Sequence, residues 1–256
     1  MTDEALTIVT TVADGIARIE WPADVPASVV RREVAAALLA HARVETLLDP
    51  DDETGQRVAA WAGMLREGTM RGVTVDGVTT DRIVYARLAS DLPLEDPQSF
   101  RALLNSYLPR KRAIGQMLVR DAEDRVLLCQ LTYKRDWDLP GGVVELNESP
   151  RLAVSRELDE ELGVEIPAGD LLLTDWLPPW SGWDDAICLV FDGGTHPAEL
   201  AEQLTLQPNE IRAAAFKTMA EVRELAADFT ARRIESALAR THGGGSTFTE
   251  SGRPHL

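Results

Sequence analysis

The segment GGVVELNESPRLAVSRELDEELGV, residues 141–164, constrains this chain more than any other stretch, because it joins a glycine pair to a short helix that ends in a crowd of carboxylates. Ser149 can cap that helix, Pro150 suits its first position, and Gly163 supplies a left-handed stop after Leu162. The predicted helix is about three turns long, and at about 100° per residue Glu157, Glu160 and Glu161 share an arc of roughly 100° while Asp159 points elsewhere. Like charges at i and i+4 repel, and carboxylates at a helix C-terminus oppose the macrodipole. Arg156 offsets only part of this. Hard divalent cations such as Mg²⁺ or Mn²⁺ are the natural partners of clustered carboxylate oxygens. Taken alone, such a run is an ordinary solvated acidic surface; its flanking residues decide otherwise.

Those residues spell G-x5-E-x7-R-E-U-x-E-E-x-G-U, with U apolar: Gly142, Glu148, Arg156, Glu157, Leu158, Glu160, Glu161, Gly163 and Val164. The string resembles the Nudix box with no departure at a defining position, and the preceding WDLPGG, residues 137–142, resembles the family's usual approach to it. The resemblance implies an α/β fold, a Nudix α/β/α sandwich with a mixed sheet. It also implies metal-dependent hydrolysis of a nucleoside diphosphate linked to another moiety, X. Carried over position by position, Glu157, Glu160 and Glu161 match the metal-ligand glutamates and, with Arg156, the catalytic set. The main-chain carbonyl of Gly141 or Gly142 matches the backbone ligand. Arg156 would orient the glutamate face, and Glu148 could bind Arg156 or a second metal. A carboxylate must also take a proton from the attacking water: Glu160 or Glu161 within the box, or Asp184, Asp185, Glu199, Glu202 or Glu210 from downstream loops.

Around the box, residues 113–121 and 125–133 read as a β-hairpin, 171–177, 185–194 and 211–216 as further strands, and 219–227 and 231–241 as helices. LPPWSGWDD, residues 177–185, places Pro179 close to where ADP-ribose hydrolases of the family carry a proline, which favours ADP-ribose or a nucleotide sugar as substrate. Trp137, Trp180, Trp183, Asp184 and Asp185 are the candidate substrate contacts, since indole faces stack on any nucleobase; the competing reading is a proline-rich turn that packs Trp176, Trp180 and Trp183 onto the core. The tail STFTESGRPHL, residues 246–256, resembles the closing segment of a bacterial Nudix subgroup.

Residues 112–256 suffice for that domain, so the rest needs its own account. Residues 1–90 alternate strand-like and helix-like stretches, and DETGQRVAAWAGMLREGTMRG, residues 52–72, resembles the C-terminal half of a GNAT acetyltransferase. Active members carry Q/R-x-x-G-x-G/A before the helix that receives a pyrophosphate, because only glycine allows so close a backbone approach. Residues 22–33 hold no glycine, and Asp52 stands where that family commonly has asparagine. The expectation is a small α+β partial GNAT-like domain, non-catalytic, with Arg31 and Arg32 as its anion contacts if it binds one. Residues 91–111, with Pro93, Pro97 and Pro109 around one short helix, read as an ordered linker.

Formal net charge is −16, with 17 acidic against 11 basic residues in 1–110 and 25 against 15 in the remainder. Neither half is basic, which excludes a nucleic-acid partner held by phosphate neutralisation. An acidic enzyme still has to bind an anionic nucleotide, and a bound cation reverses the local sign of charge. Cys129 and Cys188 lie in apolar strands and read as reduced core thiols, favouring the cytoplasm. No apolar run is long enough for a membrane, and His41, His196, His242 and His255 show no ligand spacing. A homodimer is compatible with the half-domain. Three functions remain open: a pyrophosphohydrolase of the nucleoside diphosphate type, a house-cleaning nucleoside triphosphate pyrophosphatase, and a non-catalytic nucleotide sensor.

Overall fold

The computed structural model describes residues 7–75 and 77–254, and the chain divides into two compact units at Pro109 and Arg110. In the first, β1 (Ile8–Ala13) and β2 (Ile16–Glu20) form a hairpin turned at Gly15. Then follow α1 (Ala27–Ala37), β3 (Arg43–Leu48), α2 (Glu53–Trp61), β4 (Leu65–Val75), β5 (Val78–Leu88) and α3 (Pro97–Tyr107). The sheet order is β1-β2-β3-β5-β4, with β2 and β3 parallel. Ile19, Val30, Val34, Val44, Met64 and Tyr85 form its core.

Two residues singled out in this unit have structural partners. The Asp52 carboxylate accepts from Gly55 N at 2.8 Å and caps α2. Arg31 donates to the Trp61 carbonyl and Arg32 pairs with Glu33. The stretch expected as a linker contains α3, which belongs to the first unit and packs along β4, where Ser106 Oγ accepts from Arg66 N at 3.1 Å.

The second unit runs β6 (Arg112–Arg120), β7 (Val126–Leu131), β8 (Trp137–Asp138), β9 (Gly141–Val143), α4 (Pro150–Leu162), β10 (Leu171–Leu177), β11 (Ala186–Thr195), α5 (Leu200–Gln203), β12 (Ile211–Lys217), α6 (Met219–Leu225), α7 (Asp228–Thr241) and β13 (Phe248–Glu250). Its mixed sheet has the order β12-β7-β6-β11-β10-β13, with β6 parallel to β11 and β10 parallel to β13. Strand alternation sends Met117, Val119, Leu127 and Cys129 to one face, against Val154, Leu158 and Leu162 of α4. Leu118, Val126 and Leu128 face the other way, against Val222 of α6 and Ile234 and Ala237 of α7. A sheet between helical layers follows from that two-sided apolar pattern.

The expected hairpin differs from a plain one. Its strands pair next to the turn, at Arg120 and Val126, and then splay. Residues 137–143 enter the gap: Asp138 and Trp137 pair with Cys129 and Gln130, while Gly141, Gly142 and Val143 pair with Gln116, Gly115 and Ile114. Alternation in β6 and β7 does not reveal this insertion, because both strands are apolar on both faces. Both cysteines are buried and unpaired, and burial pushes the Cys188 thiol up to about 11 and the Cys129 thiol well above its ordinary value. Among the described residues no helix is long and apolar enough to cross a membrane.

Candidate active site

The glycine pair and the glutamate helix meet where residues 137–143 enter the sheet. Gly141 sits at φ +132°, and a Cβ there would lie 2.2 Å from the Gly115 carbonyl oxygen, so β9 can approach β6 only with glycine at this position. A Cβ on Gly142 would instead meet Glu157 Cδ and Oε1 at 2.5 Å. The second glycine therefore leaves room for a carboxylate. Gly115 similarly lets Pro150 and Val154, at the start of α4, approach β6. At the far end Gly163 adopts φ +64° and ends the helix as its sequence predicts.

Leu158 and Leu162 anchor α4 in the core with no exposed surface, which fixes the rotation of the glutamates between them. Glu161 is only 5% exposed, and the Gly141 N–H donates to its carboxylate. Burial, with the charge of Glu157 second, pushes its pKa up to about 7 against that hydrogen bond. Glu157 is raised as well, first by burial and then by Glu160 and Glu210, although Arg156 opposes the shift. Glu160 lies outward, its side chain 58% exposed, paired with Arg156 Nη1 at 2.8 Å.

Arg156 organises this face. Its Nε and Nη2 donate to the two oxygens of Glu148 at 2.9 and 3.1 Å, and Nη2 also lies 3.1 Å from Glu157 Oε1. The guanidinium holds the Glu148 carboxyl below the usual range, and the surrounding carboxylates raise the Arg156 pKa. Among the described residues no three His, Cys, Asp or Glu side chains are gathered closely enough to hold a metal ion as they stand, since Arg156 draws Glu148 and Glu160 to itself. The donor set nonetheless has the chemistry of a hard cation site: carboxylate oxygens and main-chain carbonyls, with no thiolate or imidazole. Two neighbouring carboxyls whose ionised forms are both disfavoured are what a nearby cation would relieve.

The downstream acids separate. Glu210, just before β12, acts electrostatically on both Glu157 and Glu161, and Gln207 Nε2 lies 3.3 Å from its carboxylate. Glu199 and Glu202, at α5, line a different cavity with Arg125 and Phe216. Asp185 accepts from Trp176 Nε1 at 3.2 Å and from Lys111, which together lower its pKa, while the Asp184 carbonyl accepts from Arg112 Nη2 at 2.7 Å.

The tryptophans separate too. Trp137 is half-buried, with Lys217 Nζ 5.4 Å from its ring centroid, and packs against the α6–α7 core. Trp180 and Trp183 are more than half exposed on a turn closed by their own backbone hydrogen bonds. Trp180 meets Phe229 of α7 edge to face at 5.6 Å, and Arg112 lies 4.8 Å from the Trp183 ring centroid. Phe229 had no signal in a sequence read strand by strand. A second group was missed: Asp175 and Arg233, both buried, bond at 2.7 Å, and Arg233 also reaches Gln116. An aspartate in the middle of LLLTDWL and an arginine on the apolar face of α7 were the available clue, since buried charges come in pairs.

Residues 109–238, just over half of the chain, match the NUDIX domain family. A MutT-like protein from Streptomyces ambofaciens is 36% identical over 59 residues, which cover 23% of this chain and 38% of that protein. An 8-oxo-dGTP diphosphatase from Proteus vulgaris is 35% identical over 69 residues, 25% of this chain and 62% of its own length. The chain thus spans less than two thirds of either relative. The crystal structure of a MutT protein from Methanosarcina mazei Go1 aligns with 54% of this chain and all of its own at 24% identity and a TM-score of 0.44. With the family match extending over the whole glycine turn and glutamate helix, this chain belongs to the Nudix domain family.

Proposed function

We propose that the second unit is a divalent-metal-dependent hydrolase that cleaves a pyrophosphate bond in a nucleoside diphosphate linked to X. The observation that carries this reading is the Glu157–Glu161 pair: two neighbouring carboxyls whose ionisation is disfavoured by burial, set against a glycine that leaves room for one of them. Glu157, Glu160, Glu161 and a carbonyl of the Gly141–Gly142 turn would hold Mg²⁺ or Mn²⁺, with Glu148 available for a second ion. When bound, such ions draw charge from bridging phosphate oxygens and lower the pKa of an attacking water.

The chain's own residues supply the rest. Arg156 orients Glu148 and Glu160 and limits repulsion along α4. Glu210, by its electrostatic reach to Glu157 and Glu161, is the downstream acid best supported as proton acceptor, ahead of Glu199 and Glu202. Trp180, Trp183 and Phe229 offer aromatic faces for a base. The loop of Trp180 and Trp183 and the family proline at Pro179 support ADP-ribose or a nucleotide sugar. The names of the two relatives keep nucleoside triphosphates within the same test. The first unit, with Asp52 and Arg31 committed to structural bonds, is read as a non-catalytic domain of GNAT-like ancestry.

The test is a panel: ADP-ribose, nucleotide sugars, and ordinary and oxidised nucleoside triphosphates, each incubated with the purified full chain and Mg²⁺ and followed by release of nucleoside monophosphate and phosphate. Turnover of at least one compound, abolished by chelation, is expected. Binding without turnover across the panel contradicts the enzyme reading and leaves a nucleotide sensor.

A further inference from the structure

A buried line of polar groups crosses the α6–α7 side of the second unit's sheet, from the C-terminal strand to the glycine turn. Thr249 Oγ1 and Gly252 N donate to Asp175 Oδ1 at 2.7 and 2.8 Å. Asp175 Oδ2 accepts from Arg233 Nε at 2.7 Å, and Arg233 Nη1 donates to Gln116 Oε1 at 3.0 Å. Gln116 Nε2 donates to Asp138 Oδ1 at 2.8 Å, and that same oxygen accepts from Leu139 N at 2.9 Å. Lys134 Nζ closes the line on Asp138 Oδ2 at 2.7 Å. The order of donors and acceptors is determined throughout, because a flipped Gln116 amide would set donor against donor at Arg233 and acceptor against acceptor at Asp138.

We propose that β13 is a positioning element for the candidate active site, acting through Asp175, Arg233, Gln116 and Asp138 to hold the Leu139–Gly142 turn in place. Three further observations support it. Asp175, Thr249, Arg233 and Gln116 are all 4% exposed or less, so the line is shielded from water along most of its length. The turn is held from the same strand by its backbone, with Met117 N donating to the Pro140 carbonyl at 3.0 Å and Gln116 paired to Gly141. The tail is closely fitted to α7: Arg232 Nε donates to the Ser251 carbonyl at 3.0 Å, and a Cβ on Gly252 would lie 2.6 Å from Arg233 N. Stability alone does not explain these residues. A buried ion pair is often no better than an apolar pair of the same volume, and Arg233 Nη2 is buried without a hydrogen-bond partner. Such a line does fix geometry, because each group admits only one arrangement of its neighbours.

The proposal uses the hydrolase reading only to say why that turn matters, so its test reads the turn itself. Amide hydrogen exchange is measured on the full chain at Leu139 and Gly142, with Leu173 and Val190 as reporters of the sheet. Thr249→Val, which keeps the shape and loses the donor, is expected to speed exchange at Leu139 about fivefold. Thr249→Ser should restore the wild-type rate. Gln116→Met should speed it at least as much, and adding Thr249→Val to Gln116→Met should have no further effect, since the line is already cut. Wild-type exchange at Leu139 in Thr249→Val, or effects that multiply in the double variant, would overturn the proposal. If Thr249→Val also speeds Leu173 and Val190, the whole unit has loosened, and Arg233→Lys makes the test from the centre: one ammonium can keep Asp175 but cannot also reach Gln116. Leu139 must then exchange faster with Leu173 and Val190 still protected; an unchanged Leu139 sinks the idea. Mn²⁺ titration of the same variants is a second readout, with about tenfold weaker binding expected. Absence of Mn²⁺ binding in the wild type counts against the metal reading and leaves the exchange result to decide this one.

Discussion

Replacing Gly142 by alanine sets a methyl carbon 2.5 Å from both Cδ and Oε1 of Glu157 and 2.8 Å from Oε2. Ordinary Cβ contacts begin at 3.4 Å, so the carboxylate must retreat by about 1 Å. It is the far end of a flexible side chain with 15% of its surface exposed, and it can swing without disturbing α4. The lesion should therefore fall on activity: a misplacement of that size costs about a hundredfold in kcat/KM, or about 2.7 kcal/mol of transition-state stabilisation. Initial rates under saturating Mg²⁺ measure the first quantity, and urea unfolding, expected near the wild-type midpoint, controls for the fold. The neighbouring Gly141→Ala provides the contrast. Its methyl would meet a backbone oxygen at 2.2 Å in a conformation of positive φ, which should cost about 3 kcal/mol of stability. Wild-type kcat/KM in Gly142→Ala would refute the placement of Glu157 in the reaction.

Without divalent cations, Glu161 holds its proton up to about pH 7 in the folded protein against an ordinary 4.5, so the folded state binds more protons across that interval. Its contribution to stability is complete below about pH 4.5 and is lost as pH rises through 7, by at most about 3 kcal/mol. Urea unfolding in chelator at pH 5 and pH 8 should show this fall in wild type and a flatter response in Glu161→Gln; equal slopes would contradict it. Leu158→Ala, at a fully buried position in α4, should cost about 2–5 kcal/mol in the same assay, and a loss below 1 kcal/mol would mean that α4 is not anchored there. Phe229→Ala, which removes the ring against Trp180, should raise KM about tenfold with kcat little changed, and unaltered KM would remove this pair from base binding. Glu210→Gln should slow turnover by about a hundredfold or more while Glu199→Gln and Glu202→Gln stay near wild type; the reverse order would move the proton acceptor to α5.

Sequence and structure agree best where local rules act. Pro150 and Gly163 delimit α4 without help from the rest of the fold, whereas Ser149 stands at the N-cap position but makes no side-chain cap hydrogen bond; residue spacing alone puts Glu157, Glu160 and Glu161 on one arc. Their inequality was not legible. Glu161 is buried and Glu160 exposed because of how Leu158 and Leu162 rotate the helix onto the sheet, and Arg156 reaches back eight residues to Glu148 through a loop whose course no periodicity reveals. The splayed β6–β7 hairpin was hidden for a related reason: the strands that admit residues 137–143 are apolar on both faces, so alternation does not distinguish edge from centre. Phe229 and Trp180 lie 49 residues apart in sequence and meet only in the folded unit. Asp175 and Arg233 each stand among apolar neighbours in the sequence, but neither position alone reveals its partner 58 residues away.

On the reading proposed above, the glutamates of α4 act through a divalent cation on a pyrophosphate bond. The most direct measurement is the Mg²⁺ dependence of hydrolysis, on whichever panel compound turns over fastest, for wild type and Glu161→Gln side by side. A saturable Mg²⁺ requirement is expected in wild type, with a rate lower by about a thousandfold in the variant at any Mg²⁺ concentration. Hydrolysis that persists in chelator, or a Glu161→Gln enzyme that turns over like wild type, would contradict it.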